Sequence, residues 1–260
     1  MHKNFFIDKI KKNALAKFSY IPSFAHNMKV TETDELLLVD AGVRSDMFNI
    51  ICPKQELSSK GFSDVEQYVQ LMAGKRIPIS CWLYDPSVIL QEQILSLGLK
   101  LDETEIGMGV EVGKLVLPER INENLKIQKI KNMDDLHLWK ATIKELIPSE
   151  SLAVDTFFDA GQELIVSDNS ILEHYIGLLD SIPVAISATF INEGLVGIWD
   201  VITLPLARGQ GVGSTMTYDA IINSRHQGRD CVTLSATDAG RNIYERMGFR
   251  GYCDIKIYTF

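Results

Sequence analysis

The segment from residue 208 to 214 carries the clearest chemical pattern in this chain of 260 residues. Three glycines alternate there after a β-branched run, which predicts a turn that opens a helix. The first N–H groups of a helix lack intrahelical partners and favour an anion, and glycine allows φ > 0 and close approach. We therefore predict a phosphate-binding loop; the alternative is that these glycines only punctuate a loop. The loop residues are Arg208, Gly209, Gln210, Gly211, Val212, Gly213 and Ser214.

Other nucleotide-binding patterns fit this segment less well. Residues 209–214 nearly match G-x-G-x-x-G, but Ser214 stands in place of the third glycine. Asp230 is only a rough match for the carboxylate that binds a ribose in dinucleotide-binding proteins. No Gly-Lys-Ser/Thr follows, so the phosphate-loop NTPase pattern fails. An NAD-binding oxidoreductase stays open as a weaker alternative.

A second segment, Ala239 to Phe249, reads Ala-Gly-Arg-Asn-Ile-Tyr-Glu-Arg-Met-Gly-Phe. Together with the R-x-x-G-x-G string at 208–213, which follows a strand that breaks at Pro205, it resembles the GNAT superfamily of acyl-CoA-dependent N-acyltransferases. The resemblance covers roughly residues 125–260, and the pair of motifs is more specific than either alone.

This resemblance implies acetyl-CoA as co-substrate. Main-chain amides of the loop would hold its pyrophosphate, and Ile202 and Thr203 on the preceding strand would hold the pantetheine arm. Tyr244 would be the general acid that protonates the departing thiolate, since a phenol of pKa about 10 can serve a thiol of pKa about 8.5 when held nearby. The alternative for Tyr244 is a core aromatic that packs beside Ile243 and Met247.

The sequence departs from the family pattern at Thr237, where many relatives carry asparagine. That change puts a side-chain amide contact to the cofactor in doubt but leaves the loop intact; Thr237 is kept as a candidate cofactor contact. The general base is less well marked. Asp200, on the pantetheine strand, is the first candidate, followed by the three residues His174, Glu193 and Glu150. Each also has a purely structural interpretation, and a water chain could replace them all.

The second half predicts an α/β (α+β) fold in the order of elements typical of that family. Asn192 to Gly194 predicts a hairpin turn, and the resemblance implies that the strand with Trp199 and Asp200 splays from its neighbour, with a β-bulge near the opening. The predicted strands are 125–130, 171–178, 182–190, 194–203, 231–235 and a last strand to 260; the predicted helices lie within 132–147 and 150–165 and at 212–226 and 239–247.

The first half repeats this order faintly, with strands at 36–41 and 47–52, a helix at 63–73, and a strand-helix unit from 79 to 97. Pro53 to Gly61 replaces the glycine array, and Ile94 takes the tyrosine position. We therefore predict two GNAT-like mixed-sheet domains in tandem, a degenerate one at 1–120 and a catalytic one at 121–260, with a linker at 113–124. The alternative for the first half is an unrelated α/β lid.

Amino-acid composition limits which functional classes and partners remain. The formal net charge is −8, with 14 basic against 16 acidic residues in 1–120 and 12 against 18 in 121–260. This charge disfavours nucleic acid as a partner and suits a cationic amine. The four cysteines form no metal-ligand or disulfide spacing, no run is apolar enough for a membrane helix, and no signal-peptide pattern opens the chain.

We therefore expect a cytoplasmic N-acetyltransferase that moves an acetyl group from acetyl-CoA to a primary amine by direct attack in a ternary complex. The acceptor is a small-molecule or protein amine, and neither a metal, nucleic acid nor a membrane is expected to take part. The oligomeric state is open. The alternative from another class is a catalytically silent protein that binds acyl-CoA as a sensor.

Overall fold

The computed structural model describes residues 3–226 and 229–260. Helices and strands alternate through these residues. The α-helices are α1 Lys3–Phe24, α2 Ser59–Gly74, α3 Val88–Ser96, α4 Met133–Leu146, α5 Ser151–Ala160, α6 Gln162–Ile165, α7 Val212–His226 and α8 Asp238–Arg246. The strands are β1 Lys29–Glu32, β2 Leu36–Asp40, β3 Ile50–Pro53, β4 Ser80–Tyr84, β5 Lys100–Glu111, β6 Lys126–Lys129, β7 Leu172–Leu179, β8 Ile182–Asn192, β9 Leu195–Thr203, β10 Cys231–Ala236 and β11 Arg250–Thr259.

The chain forms two compact units that are interleaved in sequence. The larger unit joins Met1–Ala14 to Gly107–Tyr252, and the smaller unit joins Leu15–Ile106 to Cys253–Phe260. This division differs from the predicted single boundary between residues 120 and 121: the internal boundary follows Ile106, and both chain ends cross to the other unit. The C-terminal residues belong to the smaller unit because β11 pairs with β4 there, antiparallel over Ile255–Thr259.

Strands β5 and β11 each contribute residues to both units. In the larger unit the strand order is β11-β5-β10-β9-β8-β7-β6. Strands β6 to β9 form an antiparallel meander, whereas β10 runs parallel to β9 after the crossover through α7. Every helix and strand predicted between residues 125 and 260 is present, with ends that differ by a few residues. The predicted hairpin turn is also present, with Glu193 and Gly194 both at positive φ.

In the smaller unit the strand order is β1-β2-β3-β4-β11-β5. A buried apolar cluster that includes Val65, Met72 and Ile94 packs α2 and α3 against its strands. Strand β3 begins at Ile50 rather than at the predicted residue 47. Asn49 explains the difference: its buried side chain accepts from the amide of Ala41 and donates to the carbonyls of Val43 and Ser45, which holds the preceding residues in a turn.

Helix α1 was not predicted from the sequence. Its buried apolar side chains nevertheless recur at helical spacing, although the charged residues between them make this apolar periodicity harder to detect. Those side chains are Phe6, Ile10, Ala14, Phe18 and Ile21. None of the helices among the described residues is long and apolar enough to span a bilayer.

Candidate functional site

The larger unit opens at the carboxyl end of β9, where this strand leaves β10. Parallel pairing runs from Leu195 to Ile198 and stops there, although β9 continues to Thr203. The far edge of the last five residues of β9 therefore has no strand partner among the residues that the structure describes. This opening agrees with the splay that the resemblance implied.

A β-bulge lies at the start of the opening. Ala188 pairs with Trp199 and Ile186 pairs with Ile202, so Ser187 on β8 faces two residues, Asp200 and Val201, on β9. Asp200 has φ of +54°, the left-handed region that aspartate tolerates better than most residues. The predicted bulge is confirmed, and Asp200 itself forms it.

The bulge inverts the faces of β9. Before it, Gly197 and Trp199 face Asn13 of α1, whose side chain accepts a hydrogen bond from the Trp199 indole at 3.0 Å. After it, Val201 packs against the cluster that contains Val212 and Met216 of α7. In a regular strand residues 199 and 201 would share one face. The extra residue therefore turns the end of β9 toward α7.

Backbone groups at the end of β9 also divide between two edges. The amide of Leu204 donates to the carbonyl of Val184 at 2.8 Å, which extends the antiparallel ladder of β8 and β9. Because such a ladder alternates, the backbone of Ile202 faces β8, while that of Val201 and Thr203 faces the opening. The carbonyl of Thr203 accepts a hydrogen bond from Nε of Arg208 at 3.0 Å.

The predicted phosphate loop lies at this opening. A short 3-10 turn at Pro205–Ala207 leads into it, Gly209 and Gly211 take φ of +72° and +79°, and α7 begins at Val212. The amide of Arg208 donates to the carbonyl of Pro205. None of the next six amides, residues 209–214, makes a backbone hydrogen bond of good geometry within the described part of the chain. The loop is exposed at residues 208–210 and half-buried or buried at 211–214.

The loop is held from outside by residues that the sequence placed in a linker. The side-chain amide of Asn122 donates to the carbonyl of Gln210 at 3.1 Å, and its backbone amide donates to Oγ1 of Thr215 at 2.8 Å. A Cβ on Gly211 would lie 3.1 Å from the carbonyl oxygen of Arg120. The cluster of asparagines at 122 and 124 was the available signal, and it was interpreted as part of a linker instead.

Tyr244 lies on α8, which follows β10 and therefore starts on the β10 side of the opening. Its ring is half-buried, with its centroid 6.0 Å from that of Phe249 in an edge-on arrangement. No residue of α8 is buried, so this tyrosine is not part of a closed core. Thr237 caps the helix: its hydroxyl accepts from the amide of Gly240 at 3.3 Å.

The candidate bases lie in different surroundings. Asp200 is half-buried in the bulge. His174 is buried in an aromatic cluster, with ring centroids 4.8 Å from Trp139 and 5.7 Å from Phe158. Glu193 is exposed in the hairpin turn at the opposite end of β9 and pairs with Lys9. Only Asp200 of these three therefore lies at the opening.

Glu150, the fourth candidate, ends a 3-10 turn between α4 and α5 and makes no capping hydrogen bond. One of its carboxylate oxygens, Oε2, is buried without a hydrogen-bond partner among the described residues. Glu150 therefore does not cap α5 with its side chain, and this oxygen retains its capacity to accept a hydrogen bond.

A buried polar cluster lies on β7, on the face of the sheet that packs against α7. The carboxylate of Glu173 accepts from Lys129 at 2.8 Å and from the hydroxyl of Tyr175 at 2.6 Å. Burial and the hydrogen bond to Glu173 raise the pKa of Tyr175 above its usual range. Burial also raises the pKa of Asp219 on α7. Lys129 and Tyr175 satisfy Glu173, Asp219 accepts a hydrogen bond from Asn223, and the Tyr175 phenol stays protonated at neutral pH.

The corresponding helix start in the smaller unit already holds an internal anion. The carboxylate of Glu35 accepts from both the amide and the hydroxyl of Ser58, the residue that caps α2. A Cβ on Gly61, in the first turn of α2, would collide with the same carboxylate. This helix start is therefore already occupied by a side-chain carboxylate. Across the residues that the structure covers, no group of three or more histidine, cysteine, aspartate or glutamate side chains could hold a metal ion.

Comparison with protein-family models gives no match, and comparison with curated proteins gives no significant match. Solved structures match over nearly the whole chain. A GCN5-related N-acetyltransferase from Kribbella flavida is 16% identical with a TM-score of 0.67, covering 96% of this chain and 94% of that chain. A conserved protein of unknown function from Staphylococcus epidermidis is 16% identical with a TM-score of 0.65, covering 94% and 96%.

A tandem GNAT protein from the clavulanic acid biosynthesis pathway is 8% identical with a TM-score of 0.61, covering 97% of this chain and 95% of that chain. The chain therefore has the fold of the GCN5-related N-acetyltransferases. The predicted α/β (α+β) class and the predicted fold resemblance are confirmed.

Proposed function

We propose that this protein is an acetyl-CoA-dependent N-acetyltransferase whose acyl-CoA site lies in the larger unit. One observation carries the proposal: six successive amides that make no backbone hydrogen bond of good geometry, residues 209–214, surround the start of a helix at the place where β9 leaves β10. An array of N–H donors at a helix start stabilises a phosphate group. A GNAT fold places acyl-CoA chemistry first among the functions that such a site could serve.

The residues at the opening can be matched to the successive parts of acetyl-CoA. The amides of the loop would bind the pyrophosphate, and the backbone groups of Val201 and Thr203 that face the opening would pair with the pantetheine amides. Ile202 would contribute packing rather than backbone hydrogen bonds, because its backbone faces β8. Arg208 would brace the loop through the carbonyl of Thr203. Thr237 would act chiefly through the start of α8.

The reaction would be direct transfer in a ternary complex. The neutral nitrogen of a primary amine attacks the thioester carbonyl, the C–N bond forms, the C–S bond breaks, and an amide and CoA result. Tyr244 would donate its phenolic proton to the sulfur that leaves. The proton of the attacking amine would pass to Asp200 or to water. A half-buried phenol at the rim of the opening suits this role because it can be reprotonated from solvent.

The two halves would divide the work. Residues 1–120 would act as a degenerate GNAT-like half, because Glu35 fills the helix start that a phosphate would need. Residues 121–260 would carry the acyl-CoA chemistry. The acceptor would be a small-molecule or protein amine, and the acidic charge of this half suits a cationic one.

Two measurements test the proposal. Acetyl-CoA and CoA should raise the melting temperature, whereas NAD should not, because only a ligand that binds the native state stabilises it. A panel of primary amines with acetyl-CoA should then release free thiol. Equal stabilisation by NAD would contradict the acyl-CoA site. Binding of acetyl-CoA without turnover of any amine would favour the silent sensor instead.

A further inference from the structure

Helix α1 reaches the reactive end of β9 through one buried asparagine. Asn13 is 1% exposed and makes two hydrogen bonds across the sheet. Its side-chain amide donates to the carbonyl of Phe190 on β8 at 3.0 Å, and its side-chain oxygen accepts from the indole of Trp199 on β9 at 3.0 Å. One side chain therefore ties the two strands that form the bulge.

The backbone of β9 is shaped to admit this asparagine. Gly197 lies on the same face as Trp199, and a Cβ there would collide with the Asn13 side chain and lie 2.7 Å from Nε1 of Trp199. Only glycine leaves this space open. Phe190 pairs with Gly197 across the ladder, so both hydrogen bonds of Asn13 end within two residues of that pair.

The position of this link relative to the opening gives it a functional consequence. Pairing of β9 with β10 ends at Ile198, Trp199 follows, and Asp200 begins the bulge. Asn13 therefore fixes the first residue beyond the pairing with β10, which is also the last residue before the strand changes face. If the indole of Trp199 moves, the bulge and the backbone groups of residues 201–203 move with it.

We propose that Asn13 is a positioning residue for the acyl-transfer centre, acting through Trp199 on the bulge at Asp200. This inference rests on the proposed function. Asn13 does not have to touch either substrate. A displacement of about 1 Å of a positioned group can cost about 100-fold in rate, so its loss should lower kcat more than it lowers affinity for acetyl-CoA.

The decisive variant is Asn13→Leu, which keeps the size of the side chain and removes both hydrogen bonds. Its matched control is Ile10→Ala, which removes buried packing from the same helix and leaves Asn13 unchanged. We expect Asn13→Leu to lower kcat at saturating acetyl-CoA by about tenfold or more, with the Kd of acetyl-CoA changed by less than about threefold. Ile10→Ala should lower the melting temperature and keep kcat within about twofold of the wild type.

Two results would overturn the inference: an Asn13→Leu protein with kcat within about twofold of the wild type, or an equal loss of kcat in Ile10→Ala. If Asn13→Leu does not fold, Trp199→Phe removes the same hydrogen bond from the other side and should show the same selective loss of kcat. A Trp199→Phe protein with unchanged kcat would equally count against the link.

Hydrogen exchange separates failure of this inference from failure of the proposed function. The amides of Ile202 and Leu204 face β8 and report on the strand beyond the bulge. They should exchange faster in Asn13→Leu than in Ile10→Ala, whether or not the wild type acetylates any amine tested. A wild type without turnover would contradict the proposed function alone; unchanged exchange in Asn13→Leu would contradict the positioning role.

Discussion

Gly211→Val is the sharpest test of the predicted phosphate loop, because the structure indicates how much stability the substitution removes and also supplies a control. Gly211 has φ of +79°, and a Cβ would lie 3.1 Å from the carbonyl oxygen of Arg120. A left-handed conformation costs a non-glycine residue about 1–2 kcal/mol, and a β-branched side chain tolerates it poorly. The contact with Arg120 would in addition force the loop outward.

Gly98→Val is the matched control. Gly98 in the smaller unit has φ of +88°, and a Cβ there would meet no atom within 4 Å. Both variants should therefore lose a similar backbone contribution, equivalent to about 2–8 °C in melting temperature at about 2–4 °C per kcal/mol. Only Gly211→Val should also displace the amides to which we assign the pyrophosphate.

The assay is a thermal melt with and without acetyl-CoA. At a concentration about 100-fold above Kd a ligand stabilises the native state by about 2.7 kcal/mol, or about 5–10 °C at this chain length. We expect that shift in the wild type and in Gly98→Val, and its absence in Gly211→Val. A Gly211→Val protein that keeps the full shift would refute the argument that close backbone approach at this loop creates the site.

The remaining predictions concern chemistry, stoichiometry and pH. Tyr244→Phe should lower kcat by about tenfold to a thousandfold with little change in acetyl-CoA affinity; a fully active variant would contradict the role of this tyrosine as the general acid. Calorimetric titration should find one acyl-CoA site per chain, because Glu35 fills the corresponding helix start, and two equivalent sites would contradict this. The pKa of Asp155 is lowered by its hydrogen bond to Lys144 and by Lys140. The ionised carboxylate therefore stabilises the fold above the unfolded carboxyl pKa of about 3.9, and this contribution is lost as pH falls through the lower folded pKa. Asp155→Asn should therefore melt below the wild type at neutral pH and converge with it in acid; a constant difference at every pH would refute the ionic origin.

Local signals in the sequence were sufficient for the order of elements between residues 125 and 260 and for the turn and helix start at the glycine-rich loop. Alternating glycines after a β-branched run specify a turn and a helix start through a few neighbouring residues, and Gly194 specifies a hairpin in the same way. The Tyr244 segment specified a helix whose half-buried face now carries the candidate acid. These features depend on backbone preferences that act within one or two turns of chain.

The tertiary structure decided how those elements become a site. The bulge at Asp200 depends on the register of β8 against β9, and this register determines that Val201 and Thr203, rather than Ile202, turn their backbone toward the opening. Asn13 lies 186 positions from Trp199, and Asn122 lies 88 positions from Gln210. No local pattern encodes such pairs, because each partner is chosen by the packing of elements that are distant in sequence. The sequence by itself therefore determined which residues could bind a phosphate, and the packing determined which backbone groups and supports surround it.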